Sequence, residues 1–402
     1  MLCAWNSIDP GESRIFYSNL SQHNRRNSPT KLLIVSHSAG LSGAELCLVN
    51  LAETALLQGY DVVVALPTKG PLSQRLLDRA PTLRVVYTPI QAWMGPRHHS
   101  LLGAARLLQC VLNVGPFLWL LNRENPDVVL INSSVIPAPI FASKLARKRT
   151  VVIVRESLKT NPMLRTLLPI ASMIRLIAAW TDLVIANSSY VARQYEMKSN
   201  MIYPSLNEAF FDERSRTNRT EGPRHPGTPL LVSMLGTVSP EKGQVLAVEA
   251  IANARSAGAD VRLTIIGGGR AVDIREMNSA IAAHELEDRV VYFSATDDPI
   301  SEYKKADVTI VCSRNEAFGK VTIESILCGT PVVGIDAGGT AEILNLGGGN
   351  LVEASAQALA NALVQLFECP RELHQLEEQC FDHPLRQTML SSARDTISAL
   401  EF

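Results

Sequence analysis

Glu316 and Glu324 are the two side chains whose types, spacing and flanks point most directly to chemistry. Seven residues separate them, and Gly319 lies between. Glu324 falls early in a predicted helix, Val321–Cys328, whose first free N–H groups, around Phe318 to Val321, attract an anion such as a phosphate. Glu324 would then accept hydrogen bonds from paired hydroxyls such as those of a ribose, and Glu316 would reach a sugar. Taken singly, Glu324 is better explained as a charge favoured by the helix dipole, and Glu316 as a solvated loop residue. Taken together with Gly319 and the flanking strands, the two carboxylates favour the functional interpretation.

The elements around this pair predict a parallel α/β sheet. Asp307–Cys312 is an apolar, β-branched run of strand length, and a polar loop separates it from the helix. Gly329 is a suitable C-cap, Thr330–Ile335 is a second apolar strand, and Ala337–Thr340 turns the chain into another helix. In such strand–loop–helix–strand units, ligands sit at the carboxyl ends of the strands.

This stretch, read as EAFGKVTIE and followed by GTPVVGIDAGGTAEI, resembles the signature of retaining GT-B glycosyltransferases of family 4 (group 1). The resemblance extends, more weakly, from about Lys31 to the C-terminus. It implies an α/β protein of two doubly wound Rossmann-like domains facing a cleft, the GT-B fold. The length of 402 residues suits two domains.

The predicted domain boundaries follow from the strand pattern and from the resemblance. We expect a poorly ordered extension or misassigned start over 1–30, which lacks the apolar segment of a signal peptide. The first, acceptor-side domain is predicted over 31–207, a polar linker over 208–229, and the nucleotide-sugar domain over 230–385. The resemblance implies that a last helix, within 386–402, crosses back onto the first domain. It also implies that IYPSLNEAFF, Ile202 to Phe211, is the closing strand of that domain.

Three further loops are candidates for donor contacts. Gly43 ends a Gly/Ser-rich loop that resembles the family's first loop facing the donor phosphates, although a tight turn without ligand also fits. Lys242, in GTVSPEKGQ, matches a lysine that clamps the donor diphosphate, while the arginine expected beside it is replaced by Thr237. Gly267 ends the strand of VRLTIIGGGR, where a flexible turn and a ligand contact are equally good explanations. The resemblance therefore assigns donor binding to Gly43, Lys242, Gly267, Phe318, Gly319, Lys320, Val321 and Glu324.

The acceptor side carries polar residues at the ends of two predicted strands. Relatives often have histidines after these strands, and here Asn132 stands in one such place. Arg155 and Glu156 follow the next strand, and they are candidates for binding an anionic group and for proton transfer. A surface Arg–Glu pair without a substrate explains them equally well.

Composition and charge place limits on the function. The chain is 46% apolar and 5% aromatic with a net charge of −1, which is typical of a soluble α/β protein and gives no bulk electrostatic case for nucleic acid. The seven cysteines include no CxxC and no metal-ligand spacing, which predicts free thiols in a reducing cytoplasm. The apolar stretch Ser100–Leu121 is predicted as a buried helix of the first domain. A membrane span is not expected, since Pro116 and polar residues interrupt it. Met163–Trp180 suits either a core-facing helix, which we favour, or peripheral contact with the inner face of the cell membrane.

The mechanism that the resemblance implies is glycosyl transfer with retention of anomeric configuration. Lys242 and the amides near Gly319 would stabilise the nucleoside diphosphate leaving group, and Glu316 would orient the sugar or stabilise charge at its anomeric carbon. No cofactor is expected, because the nucleotide-sugar, most simply a UDP- or GDP-sugar, is a substrate. No metal is expected, because protein groups would neutralise the diphosphate and no DxD-like pair stands in a suitable loop. The acceptor is left open among a glycan, a lipid-linked and a small-molecule acceptor. A non-catalytic nucleotide-sugar-binding subunit and a GT-B-like epimerase are the alternatives.

Overall fold

The structure is a computed structural model that describes residues 28–95, 100–161, 164–195, 199–212 and 227–401. The predicted extension 1–30, apart from residues 28–30, lies outside the described residues. Most of the predicted linker 208–229 lies outside them as well.

The first half of the chain forms a sheet of seven parallel strands in the spatial order β3-β2-β1-β4-β5-β6-β7. The strands are β1 (Lys31–Val35), β2 (Asp61–Leu66), β3 (Arg84–Tyr87), β4 (Val128–Ile131), β5 (Arg149–Val154), β6 (Leu183–Ala186) and β7 (Ser199–Met201). The helices are α1 (Gly43–Leu57), α2 (Pro71–Arg79), α3 (Ser100–Leu112), α4 (Val114–Glu124), α5 (Pro137–Leu145), α6 (Ile170–Trp180) and α7 (Ser189–Ala192). The central strands β1 and β4 are buried on both faces, as expected when helices cover a parallel sheet on both sides.

The second half forms a sheet of six parallel strands in the order β10-β9-β8-β11-β12-β13. The strands are β8 (Leu230–Leu235), β9 (Val261–Ile266), β10 (Val290–Phe293), β11 (Val308–Val311), β12 (Val332–Ile335) and β13 (Gly349–Val352). The helices are α8 (Gln244–Ser256), α9 (Ala271–Ala283), α10 (Pro299–Lys305), α11 (Lys320–Leu327), α12 (Gly338–Leu344), α13 (Ala356–Glu368), α14 (Pro370–Phe381) and α15 (Leu385–Ser398). Two helix-flanked parallel sheets confirm the predicted α/β class of two Rossmann-like domains.

Helix α15 packs against the first half of the chain. Ile397 and Leu400 are buried in the same core cluster as strand β1 and helix α1. Beyond them, the Tyr60 hydroxyl donates to a Glu401 carboxylate oxygen at 3.2 Å. The end of the chain therefore ties the second half to the first.

In each sheet the chain adds strands in one direction and then in the other. The direction changes between β1 and β4 in the first sheet and between β8 and β11 in the second. In doubly wound sheets, ligands bind at such switch points, outside the carboxyl ends of the strands. The loops that follow β4, β8 and β11 carry Asn132, Lys242 and Glu316, and the loop after β1 ends at Gly43, the first residue of α1. The topology thus places these residues at the two positions where a binding crevice forms.

Two local predictions are wrong. The closing strand of the first sheet is Ser199–Met201, and Ile202 to Phe211 continues as irregular chain and a 3-10 turn, because Pro204 cannot donate to a strand ladder. The stretch predicted as one buried helix is two helices, α3 and α4, that meet at Asn113 and leave most of their outer side exposed. The core-facing interpretation of the next apolar segment is confirmed for α6, which buries Met173, Ile174 and Ile177.

Candidate active site between the two sheets

Contacts between the two halves bring the carboxyl edges of the sheets together. The Ser188 hydroxyl, after β6, donates to the carbonyl oxygen of Ala317, which belongs to the loop after β11. The Glu342 carboxylate on α12 accepts the N–H groups of Ser189 at 3.0 Å and Tyr190 at 2.9 Å, which lie at the start of α7. The Tyr203 hydroxyl also donates to Glu342 at 3.0 Å. The loop that carries Glu316 therefore lies in the cleft between the two sheets.

Glu316 is paired with Lys242. The ammonium of Lys242 donates to Glu316 Oε1, and the Glu316 side chain is mostly buried. The backbone of Glu316 is held as well, since Gly339 N–H donates to its carbonyl oxygen at 2.8 Å. A Cβ at Gly339 would meet the Phe318 carbonyl oxygen at 2.1 Å, so only glycine allows the two loops to pack this closely.

Glu324 lies inside α11 with both carboxylate oxygens occupied. The Lys320 ammonium donates to Oε1, and the fully buried Tyr303 hydroxyl donates to Oε2 at 3.2 Å. Burial alone would lower the pKa of Lys320, but the Glu324 carboxylate outweighs it and raises that pKa above its ordinary value. Burial, followed by the same carboxylate, raises the pKa of Tyr303 well above 10. At neutral pH the site thus contains a charged lysine and a neutral tyrosine against Glu324.

The start of α11 provides backbone donors to the cleft. Gly319 is the N-cap with φ of 91°, a left-handed conformation that favours glycine, and Ile323 N–H closes the first turn onto Gly319 O at 3.2 Å. The N–H groups before Ile323, including that of Val321, point out of the helix end. The Phe318 ring turns away to pack on Tyr203, with 5.4 Å between ring centroids, so Phe318 can offer a ligand only its backbone.

Gly43 from the first half faces the same helix end. It is the first residue of α1, and a Cβ added there would lie 3.2 Å from Lys320 Cδ. The glycine therefore lets the Lys320 side chain pass between the two halves. Beneath the loop, the fully buried Glu45 accepts the N–H of Ser42 at 3.3 Å, and His37 Nδ1 lies 3.4 Å from its other oxygen.

The last of the predicted donor residues is Gly267, which packs against the backbone of Gly236 and Thr237 in the loop after β8. A Cβ at Gly267 would approach the Gly236 carbonyl oxygen to 2.0 Å, so the packing of two loops already requires glycine there. Thr237 is exposed, and its carbonyl oxygen accepts from Gln244 Nε2 at 3.1 Å. The Thr237 side chain adds no charge to the loop that carries Lys242.

The acceptor-side candidates form two hydrogen-bonded groups at the ends of β4 and β5. Arg155 Nε donates to Asn132 Oδ1 at 2.8 Å, and Asn132 Nδ2 donates to the Ala44 carbonyl oxygen at 3.1 Å. Glu156 instead accepts the hydroxyls of Ser133 at 2.6 Å and Ser134 at 3.2 Å. These contacts replace the simple Arg–Glu surface pair, because each side chain has partners of its own.

Two residues that contribute to the site, Tyr303 and Glu342, were not predicted from the sequence. Tyr303 lies in a short, mostly polar helical stretch, PISEYKK, that does not indicate a partner for Glu324, and no local signal could have revealed it. Glu342 stands within the quoted segment GTAEI, so its position was a usable signal. Among the residues that the structure describes, no group of three or more His, Cys, Asp and Glu side chains could hold a metal ion.

Comparison with known families matches both halves of the chain. Residues 41–200 match the family model described as Glycosyltransferase Family 4, and residues 215–382 match that described as Glycosyl transferases group 1. Together these stretches cover most of the chain.

Similar curated proteins include a 2-deoxystreptamine glucosyltransferase of Streptomyces kanamyceticus and a D-inositol 3-phosphate glycosyltransferase of Stackebrandtia nassauensis. The first is 28% identical over 182 residues, 44% of this chain and 46% of the relative. The second is 30% identical over 186 residues, 43% of this chain and 42% of the relative. The chain thus spans less than half the length of these relatives.

Solved structures with the same fold cover nearly the whole chain. HepE of Anabaena, determined in complex with UDP and glucose, has a TM-score of 0.69 at 21% identity and covers 92% of this chain and 100% of its own. Sucrose-phosphate synthase from Thermosynechococcus elongatus has a TM-score of 0.72 at 18% identity and covers 92% of this chain and 98% of its own. At these identities the likeness establishes the fold.

Proposed function

Because the chain belongs to the GT-B glycosyltransferases of family 4 and group 1, we propose that it transfers a sugar from a nucleotide-sugar to an acceptor with retention of anomeric configuration. The second half would hold the donor, and the first half would hold the acceptor. The observation that carries the proposal is the presence of two Lys–Glu pairs, Lys242–Glu316 and Lys320–Glu324, at the start of α11.

These ion pairs fit a site in which the two lysines leave the carboxylates and bind the donor phosphates. Without a ligand, each ammonium neutralises a carboxylate in the cleft. A nucleoside diphosphate would draw both ammonium groups to its phosphates, at a helix end whose N–H groups also favour an anion. Glu324 would then be free to accept the ribose hydroxyls, and Glu316 to face the sugar.

The same groups would stabilise the leaving group. As the bond to the sugar breaks, negative charge develops on the diphosphate, and Lys242 and the helix amides are fixed donors for that charge. Lys320 would supply the second cation that Thr237 does not. Glu316, on the sugar side, would orient the sugar or stabilise positive charge at the anomeric carbon.

We propose a uridine diphosphate sugar as the first donor to test, because HepE of the same fold was solved with UDP and glucose. The acceptor would lie against Arg155 and Glu156. A glycan, a lipid-linked sugar and a small polyol all carry hydroxyl groups that Glu156 could accept hydrogen bonds from. We further propose that transfer needs no added divalent metal, which assays with and without EDTA would decide.

The test begins with donor binding. Thermal shifts with UDP-, GDP-, ADP- and dTDP-sugars should give stabilisation by one nucleotide class, since a ligand that binds only the native state stabilises it by mass action. Glu324→Ala should abolish this shift. With the donor known, Glu316→Gln and Lys242→Ala should each greatly reduce transfer of labelled sugar while circular dichroism remains native, and NMR of the product would report its anomeric configuration.

The uncharged Thr237 favours one alternative, a nucleotide-sugar-binding subunit without transferase activity. Such a subunit would give the thermal shift, lose it in Glu324→Ala, and move no label to any acceptor. Wild-type transfer by both Glu316→Gln and Lys242→Ala would contradict the proposed site instead.

A further inference from the structure

The outer side of α3 and α4 is apolar where a soluble helix is normally polar. Leu101, Leu108 and Trp119 are 83%, 61% and 62% exposed, and Val111 and Leu112 are equally open. These residues recur at helical spacing, so they form one stripe along both helices. We call this stripe the α3–α4 face.

The opposite side of these helices is anchored in the first half of the chain. Cys110, Phe117, Leu120 and Leu121 are buried in the core cluster on one face of the seven-stranded sheet. By length and composition, Leu101–Glu124 could cross a membrane, and only 17% of its most apolar 18 residues are buried inside the protein. Because one side is built into the domain core, the helices can lie on an apolar surface but cannot leave the domain to span it.

The part of the chain that contains α3 and α4 is rich in basic residues, and the helices themselves carry Arg106 and Arg123. Residues 79–181 contain thirteen Lys and Arg but three Asp and Glu, in a chain whose net charge is −1. Of those three acids, Glu124 is buried between Lys31 and Arg84 at 3.3 and 3.1 Å. Asp127 accepts the Lys31 N–H at 2.8 Å, and Glu156 accepts the Ser133 hydroxyl at 2.6 Å. On the face itself, the Arg123 guanidinium lies 5.4 Å from the Trp119 ring centroid.

We propose that the α3–α4 face binds the surface of an anionic lipid bilayer. Its leucines and Trp119 would enter the boundary of the acyl chains, and the surrounding cations would attract acidic headgroups. A second copy of the chain is a poorer occupant. The helices carry Arg106 and Arg123, and their one acid, Glu124, is buried, so a twofold contact would bring like charges together. The proposal does not depend on sugar transfer, since lipid binding is measured without donor or acceptor.

The experiment is cosedimentation of the full-length protein with vesicles. The protein should bind vesicles of phosphatidylcholine mixed with phosphatidylglycerol, bind vesicles of phosphatidylcholine alone much less, and release at high salt. Leu108→Ser should weaken partitioning by about tenfold, since one large apolar side chain no longer enters the lipid. Leu57→Ser is the control, because Leu57 on α1 is even more exposed than Leu108 but lies outside the face.

Three outcomes would overturn the proposal. The protein could fail to bind anionic vesicles, or Leu57→Ser and Leu108→Ser could weaken binding equally. It could also form a dimer by light scattering that Leu108→Ser dissociates, which would make the face a contact between copies. Circular dichroism of each variant would verify folding, and Trp119→Ser offers a second position on the same stripe.

Discussion

The replacement of Lys320 by Met tests whether this lysine contacts the donor phosphates. Methionine is unbranched and of similar length, and it lacks the ammonium group with its charge and hydrogen-bond donors. A hydrogen bond to a charged group contributes about 1.5–3 kcal/mol, so the Kd for UDP should rise by about 10- to 150-fold. Uridine has the ribose but no phosphate, and its Kd should hardly change. Isothermal titration of both ligands against both proteins gives the four values needed.

The comparison separates two roles of Lys320. If the lysine serves only to neutralise Glu324, its loss leaves a buried carboxylate beside Tyr303, and the ribose contact suffers with either ligand. UDP and uridine would then weaken by the same factor, which would refute the phosphate contact. Lys305→Met, at an exposed lysine on α10, is the control for loss of charge alone.

A second variant tests whether a cation at another position restores the affinity for UDP. Thr237→Arg in the Lys320→Met background returns a cation to the exposed position in the loop of Lys242. We expect UDP affinity to recover while uridine affinity stays the same. Failure to recover, with native circular dichroism, would show that position 237 does not face the phosphates.

Three further results are expected. Glu342→Ala should lower the free energy of unfolding in urea by about 1–3 kcal/mol, because two N–H groups and a tyrosine hydroxyl lose their acceptor between the halves, whereas the exposed Glu353→Ala should not. Burial lowers the pKa of His383 below 6.5, so stability should fall as pH drops below that value, and His383→Gln should flatten this slope in pH-dependent melting. Burial raises the pKa of Cys312 to about 12, so among the described cysteines the exposed Cys369 should react first with iodoacetamide at pH 8, and mass spectrometry would contradict this if Cys312 were labelled first.

The sequence was sufficient for the central unit of the second half. The strand before Glu316, the helix that contains Glu324 and the turn at Gly319 are encoded by local patterns: β-branched runs, helical spacing and a glycine at a helix start. The predicted strand at Asp307–Cys312 is observed as Val308–Val311, and the predicted helix at Val321–Cys328 as Lys320–Leu327. Such patterns depend on neighbours in the chain, so they can be interpreted without the fold.

Contacts between distant segments required the tertiary structure. Lys242 and Glu316 are 74 positions apart, and Tyr303 reaches Glu324 from another helix. Side-chain type alone does not say which ammonium meets which carboxylate, because the pairing depends on how two loops are folded beside one another.

The stretch from Ser100 to Leu121 shows most clearly what could not be predicted from the sequence. Its apolar composition predicted burial, and the structure exposes one side of it as the α3–α4 face. Apolar residues on all sides of a helix indicate that the helix avoids water, but they do not say what covers it. The sequence by itself determined the two sheets and the residues that could do chemistry. Only the tertiary structure decided which charges meet in the cleft and which apolar side chains remain uncovered, because both depend on elements that are far apart in the chain.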